Sequence, residues 1–496
     1  MASDHEHEDY PQPFDAKQLS AKKHKSSDDS PSRHTNRKKR DNGDQDELPQ
    51  PFDAKALAPA KKRQRSTSPS DAPRKLKRPG QRARITSSEA AAIRQRHEQR
   101  ERDSEQQMMA ASAVTPGGVR GINDIVREHY NAVPERGRDW RKTGSRIKGL
   151  RVFNNWVKST LIQKFSPDED HTPGAHQQGR DMAGARGHEL IVLDMGCGKG
   201  GDLGKWQQAP QRVQLYVGLD PANVSIEQAR ERYRSMGSRG GGRGGRGGYR
   251  GGGRQQHLFD CRFLVKDCYS ALIDDLEIVR QVGFDPSPMG HGSFDIVSMM
   301  FCMHYAFESE EKARNMLRNV SGALKKGGRF IGCIPSSDII SSQVTAFNER
   351  NGKKAEEGSA PEEGETEDKE EGEAEDTAEW GNDLYRVRFP GKTPEDGIFR
   401  PPFGWKYSFF LDEAVEEVPE YVVPWEAFRA IAEDYNLEMQ YHSSFREIWE
   451  TEKDDPILGP LSERMGVRER GKGPLLVSEQ ELEIANFYVA FCFYKV

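Results

Sequence analysis

The segment Ile191-Val-Leu-Asp-Met-Gly-Cys-Gly-Lys-Gly-Gly-Asp202 constrains this chain more than any other. An apolar run of strand length meets closely spaced glycines, and a helical pattern opens just beyond them. Glycines let the backbone turn sharply and approach a ligand closely, and a helix start presents N–H groups to it. Further along, apolar runs and helical periodicities keep alternating. Strands are predicted at 190–195, 215–220, 261–267, 294–300 and 329–334, and helices at 203–208, 223–236 and 310–324, with a Lys-Lys-Gly-Gly turn at 325–328. That order predicts a doubly wound, Rossmann-like α/β fold around a mostly parallel sheet covered on both faces. Two helices are expected ahead of it, at 123–130 and 145–165, the second carrying Leu150, Phe153, Val157 and Leu161 at helical spacing. A helix at 426–435 and strands at 438–441 and 486–495, the last antiparallel, are expected to complete the domain.

Charge is strongly segregated along the 496 residues, although the formal net charge is only −5. Residues 1–118 are rich in Lys, Arg, Ser, Pro, Asp and Gln and are expected to be a disordered basic arm, because so little apolar surface cannot offset the entropy of ordering. Its clusters Arg37-Lys-Lys-Arg40, Lys61-Lys-Arg63 and Arg74-Lys-Leu-Lys-Arg78 suit a nuclear import signal or a general affinity for phosphate polymers. A nonapeptide occurs twice there, PQPFDAKQL at 11–19 and PQPFDAKAL at 49–57, and carries no assigned role. The domain at 119–496 holds two inserts expected to loop out: an Arg-Gly tract at 238–254 and a Glu-rich run at 352–379. The six cysteines show no metal-ligand spacing, so neither a metal site nor a disulfide framework is expected. No apolar run reaches the length of a membrane span.

The glycine segment satisfies G-x-G-x-x-G through Gly196, Gly198 and Gly201, which leaves a dinucleotide enzyme open. Three aspartates favour S-adenosylmethionine. Asp194 precedes the glycines, Asp220 ends the second strand where it can accept from ribose hydroxyls, and Asp267 ends the third where it can accept from an adenine amino group. Ligands of doubly wound sheets lie beyond the carboxyl ends of the strands, where these groups fall. The plainer alternative is a tight turn with aspartates capping helices.

Phe153-Asn-Asn-Trp-Val-Lys-Ser159, Leu193-Asp-Met-Gly-Cys-Gly-Lys-Gly-Gly-Asp202, His304-Tyr-Ala-Phe-Glu308, Gly404-Trp-Lys-Tyr-Ser-Phe409, Val418-Pro-Glu-Tyr421 and Phe487-Tyr-Val-Ala-Phe491 together resemble the eukaryotic, fungal-type mRNA cap guanine-N7 methyltransferases. The resemblance runs from about residue 121 to the end, apart from the two inserts. It implies a class I methyltransferase that carries the methyl group of S-adenosylmethionine to N7 of the GpppN cap of nascent mRNA, in the nucleus, alongside other capping enzymes and the transcription machinery. Lys158 would then pair with the methionine carboxylate, with Gly196, Asp220, Asp267, Met300 and Tyr305 completing the cofactor pocket. Met300 stands where members of the family usually have Gln. The cap would be held by Asn154, Asn155, Lys199, Lys205, Arg232, His304, Glu420 and Tyr488. Their chemistry suits those roles: cations for a triphosphate, and a carboxylate for the N1–H and exocyclic amine of guanine. No general base is implied, because neutral guanine N7 already offers a lone pair, so alignment and electrostatics would carry the reaction. Two alternatives stay open: a methyltransferase for another substrate, and a non-catalytic RNA-binding protein working through the Arg-Gly tract.

Overall fold

In the computed structural model of the chain, the structure describes residues 96, 99, 122–132, 140, 143–169, 188–238, 258–357 and 377–496. Strand β1 (Leu190–Met195) has five of its six residues buried, as a strand sheathed on both faces requires. The chain then alternates through α-helices and strands: helix Leu203–Trp206, β2 (Val213–Asp220), helix Asn223–Ser238, β3 (Asp260–Val265), helix Glu277–Val282, β4 (Phe294–Met300), a 3₁₀ turn at Met303–Glu308, helix Glu310–Ala323 and β5 (Leu324–Pro335). Helix Ser337–Glu357 leads into four short strands, β6 (Glu379–Asn382), β7 (Tyr385–Arg388), β8 (Lys406–Leu411) and β9 (Val415–Tyr421). Helix Trp425–Glu433, β10 (Leu437–Ser444), three further helices and β11 (Tyr488–Lys495) complete the chain.

The large sheet runs β10-β11-β5-β4-β1-β2-β3. Strands β1 to β5 pair parallel, and β11 runs antiparallel to both β5 and β10, as the sequence led us to expect. From β1 the chain winds outward through β2 and β3, then returns to place β4 on the other side of β1. The strand order therefore reverses between β1 and β4, and the loops leaving their carboxyl ends part there to open a crevice. Phe330, Phe491 and Phe493 pack on one another beneath the sheet. On the other face, helix Lys148–Phe165 buries Leu150, Phe153, Trp156, Val157 and Leu161.

Several elements differ from the sequence expectation. The Lys325–Gly328 residues lie inside β5 as an irregularity: β4 pairs Phe294 with Leu324 and next Ile296 with Arg329, so the intervening residues are pushed out of register, with Gly327 at φ 78°. Strands β6 to β9, an antiparallel sheet of their own, were not anticipated, nor were helices Phe445–Glu452, Leu458–Met465 and Glu479–Asn486. Two of those helices carried a legible start signal, the reciprocal Ser444/Glu447 and Ser478/Glu481 capping boxes. The described residues overlap the expected inserts at their edges. Ser238 closes a helix, the backbone of 352–357 continues one, Ala378 is buried and Glu379 opens β6. Residues 239–257 and 358–376 lie outside the described residues. So does the basic arm, except that Arg96 and Gln99 are helical.

Candidate active site

The crevice at the β1/β4 divide is a cleft of about 650 Å³. Its floor is the turn after β1. Gly196 stands at φ 77°, and a Cβ there would meet Cys302 Sγ at 2.5 Å, so only glycine fits both the conformation and the space. Backbone N–H groups of Gly196 and Cys197 both donate to Leu219 O, which ties the turn to the end of β2. From that strand end Asp220 accepts from Gly198 N (2.9 Å) and Ala222 N (2.8 Å), one on each oxygen. Burial pushes its carboxyl up to about 6, against the two N–H donors. Each carboxylate oxygen can accept a second bond. Asp267, just past β3, accepts from Tyr269 N and Ser270 N through Oδ1. These bonds close local turns, and neither aspartate caps a helix, the next ones starting at Asn223 and Glu277.

Nine of the residues expected at the site line this cleft: Asn155, Lys158, Gly196, Lys199, Asp220, Arg232, Asp267, Met300 and Tyr305. Asn154, Lys205, His304, Glu420 and Tyr488 do not. Lys205 lies against the cleft's inner wall, where its ammonium reaches Asn155 Oδ1 (2.7 Å) and Asp202 Oδ1 (2.7 Å). Lys158 binds the same Asp202 carboxylate at 2.8 and 3.0 Å. Burial would push Asp202 up, but the two ammonium groups outweigh it and hold the carboxyl well below the usual range. Asp202 thus stands, among the described residues, as the counter-ion of both Lys158 and Lys205, a role the sequence reading missed. Asn154 keeps its Oδ1 buried without a hydrogen-bond partner among the described residues.

Asp194 does not line the cleft. It is 2% exposed beneath the turn, where it accepts from Tyr216 Oη and from Ser298 Oγ (2.9 Å) and so joins β1 to β2 and β4. The sequence placed it correctly before the glycines but could not show that it faces the sheet.

Glu420, His304 and Tyr488 form a second buried cluster. Glu420 sits opposite Tyr407 in the β8/β9 register and accepts its hydroxyl at 2.9 Å. His304 Nε2 lies 3.4 Å from Glu420 Oε1, yet neither ring nitrogen makes a hydrogen bond among the described residues, so this is a contact rather than a directed bond. The His304 ring packs on that of Tyr305 at 4.4 Å between centroids. Tyr305 in turn meets Tyr130, from helix Ile122–Ala132, hydroxyl to hydroxyl at 3.1 Å. Both tyrosines line the cleft and both lie within electrostatic reach of Glu420. The Glu420 cluster thus reaches the cleft wall through the His304–Tyr305 ring contact.

Tyr130, Tyr269, Phe301 and Cys302 also line the cleft and were not singled out from sequence. Tyr130 carried no signal of its own. Phe301 adopts φ 65°, which no motif advertises, and its ring meets Tyr488 edge-on at 4.9 Å and Lys158 at 5.9 Å. Cys197 and Cys302 are buried thiols whose titration burial pushes upward, which suits space-filling rather than nucleophilic roles.

A doubly wound sheet with glycines at the β1 turn and acidic residues at the ends of the next strands defines a class I S-adenosylmethionine-dependent methyltransferase. The cleft's volume lies in the range of small-molecule sites, and the Gly196 cradle and Asp220 fit an adenosyl ligand. Residues 117–496 match the mRNA (guanine-N(7))-methyltransferase domain, and the chain belongs to that family. It is 65% identical to the mRNA cap guanine-N(7) methyltransferase of Pyricularia oryzae, over 86% of each chain. The Schizosaccharomyces pombe protein of the same name is 41% identical over 76% of this chain and 86% of its own. Among solved structures, an S-adenosylmethionine-dependent methyltransferase from Clostridium acetobutylicum aligns at 11% identity and TM-score 0.33, over 70% of this chain and 91% of that one.

Proposed function

We infer that this chain methylates N7 of the guanine cap of nascent mRNA in the nucleus, with S-adenosylmethionine as donor and the capped 5′ end as its RNA partner. Bound S-adenosylmethionine supplies an electrophilic sulfonium methyl. The chain's residues hold and align. Asp220 and Asp267 accept from the ribose and adenine, the Gly196 turn admits the backbone close to the ligand, and Lys158 answers the methionine carboxylate. Met300 and Tyr305 close that pocket. Asn154, Asn155, Lys199, Lys205 and Arg232 hold the triphosphate side of the cap, and His304, Glu420 and Tyr488 hold its base. The basic clusters of the arm would serve nuclear import, and other capping enzymes and the transcription machinery would be its further partners.

The observation that carries this reading is the buried Glu420 carboxylate, set beside His304, whose ring packs on Tyr305 of the cleft wall. A buried carboxylate demands partners that donate, and the N1–H and amino group of guanine form such a pair. Parting of Tyr130 and Tyr305 gives the base access to Glu420 and sets N7 toward the methyl. The positive charge that develops on the alkylated ring then lies near a carboxylate in a low-dielectric site. No residue needs to take a proton from N7.

The deciding experiment incubates the protein with labelled S-adenosylmethionine and GpppG-capped RNA, followed by nucleotide analysis. We expect 7-methylguanosine, and a loss of kcat/KM of at least about a hundredfold in Glu420→Ala with cofactor binding preserved. Label on any other atom, or near-normal turnover by Glu420→Ala, overturns the reading.

A further inference from the structure

The turn between β8 and β9 borders the cleft through Glu413 and Ala414 and carries two acids, Asp412 and Glu413. Glu413 adopts φ 63°, a left-handed conformation that aims its side chain at the start of helix Lys148–Phe165. There one carboxylate gathers a mixed set of donors. Ser145 Oγ donates to Oε2 at 2.6 Å, the backbone N–H of Arg146 to Oε1 at 3.0 Å, and the Arg151 guanidinium lies 3.5 Å from Oε2. Arg151 also binds the Glu413 carbonyl at 3.4 Å and Ser145 Oγ at 2.7 Å. Next to this, Arg146 pairs with Asp412 at 2.6 Å while remaining 59% exposed.

A hydroxyl, a backbone N–H and a guanidinium converging on one pair of oxygens form an anion site, and the same donors suit the two non-bridging oxygens of a phosphodiester. The site adjoins the cleft, for Arg151, Glu413, Lys148 and Arg127 all line it.

We propose that Ser145, Arg146 and Arg151 form a subsite for the phosphate backbone of the nucleotides that follow the cap, and that Glu413 holds that place until RNA enters. The inference rests on the cap-methyltransferase reading and extends it from the cap to the RNA body. Displacing Glu413 frees Arg151 and the Ser145 hydroxyl for the phosphate, while Arg146 exchanges Asp412 for the next one. A free cap dinucleotide, lacking those phosphates, leaves the turn where it is.

The test measures KM for GpppG and for a GpppG-capped ten-nucleotide RNA with the full chain, the Arg146→Ala variant and the Glu413→Gln variant. Arg146→Ala is expected to raise the KM of capped RNA about threefold, the scale of one exposed ion pair, and to leave GpppG unchanged. It should also reduce the salt dependence of RNA binding by about 0.7 in the log–log slope, as for one lost contact to a single strand. Glu413→Gln, at a residue that also lines the cleft, should lower the ratio of the KM for capped RNA to that for GpppG about threefold. Should Glu413→Gln unfold, Arg146→Ala decides alone, since its side chain is exposed. Variants that move both substrates alike, or move neither, overturn the subsite. A wild type that methylates neither substrate at N7 instead overturns the underlying activity, and the subsite with it.

Discussion

Replacing Asp194 by Asn tests how this domain tolerates a carboxylate under its cofactor turn. Burial, with the charge of Asp202 adding to it, pushes Asp194 up to about 7 from an ordinary 3.8, against the hydrogen bonds of Tyr216 and Ser298. Between those two values the folded chain holds a proton that the unfolded chain has released. Folding stability therefore falls as pH rises across that window and levels off above it. A rise of about three units at about 1.4 kcal/mol each sets a ceiling of about 4 kcal/mol. Relaxation of the surrounding dipoles should leave about 2 kcal/mol of it. An amide presents the same shape and can pair with two rotatable hydroxyls much as the protonated acid does. Urea unfolding at intervals from pH 4.5 to 8.5 should show wild type and Asp194→Asn nearly equal at the acid end. The variant should gain about 2 kcal/mol by pH 8. A difference that does not vary with pH, or a variant less stable than wild type at pH 8, refutes the account of Asp194 as a buried acid held in its neutral form.

Two further substitutions probe the turn and the lysine pair. Gly196→Ala should cost about 3 kcal/mol of unfolding free energy, from a left-handed backbone and a Cβ 2.5 Å from Cys302 Sγ, whereas Gly198→Ala, at φ 51° with open space around it, should cost about 1. Equal losses in denaturant titrations would show that the Cys302 contact does not limit the site. Asp202→Asn leaves the ammonium groups of Lys158 and Lys205 without their shared carboxylate and should destabilise by about 2 kcal/mol or more. Calorimetry in which Asp202→Asn melts with the wild type would show that solvent in the cleft already screens the pair.

Much of the sheet could be read from local pattern, because a strand buried on both faces must be a continuous apolar run whatever surrounds it. β1 and β4 matched residue for residue, and the ends of β2, β3 and β5 moved by a residue or two, or absorbed a glycine bulge. The small sheet escaped because β6 and β7 have only four residues each and β9 carries Glu416, Glu417, Pro419 and Glu420, which read as loop. Glu420 was nevertheless singled out through its motif, and it is buried opposite Tyr407, whose hydroxyl donates to it. Tyr130 and Tyr305, 175 residues apart, could not be paired from sequence, since no local rule connects them.

The amino-acid order alone thus determined the winding of the sheet, the glycine turn and the family, because those depend on residues adjacent in the chain and on backbone freedom that glycine alone allows. Tertiary structure decided which carboxylate lines the cleft and which faces the sheet, that Asp202 is shared by two lysines, and that Tyr130 meets Tyr305 in the cleft wall. These are properties of distance and exclusion of water between segments far apart in the chain, and electrostatic strength is set by both.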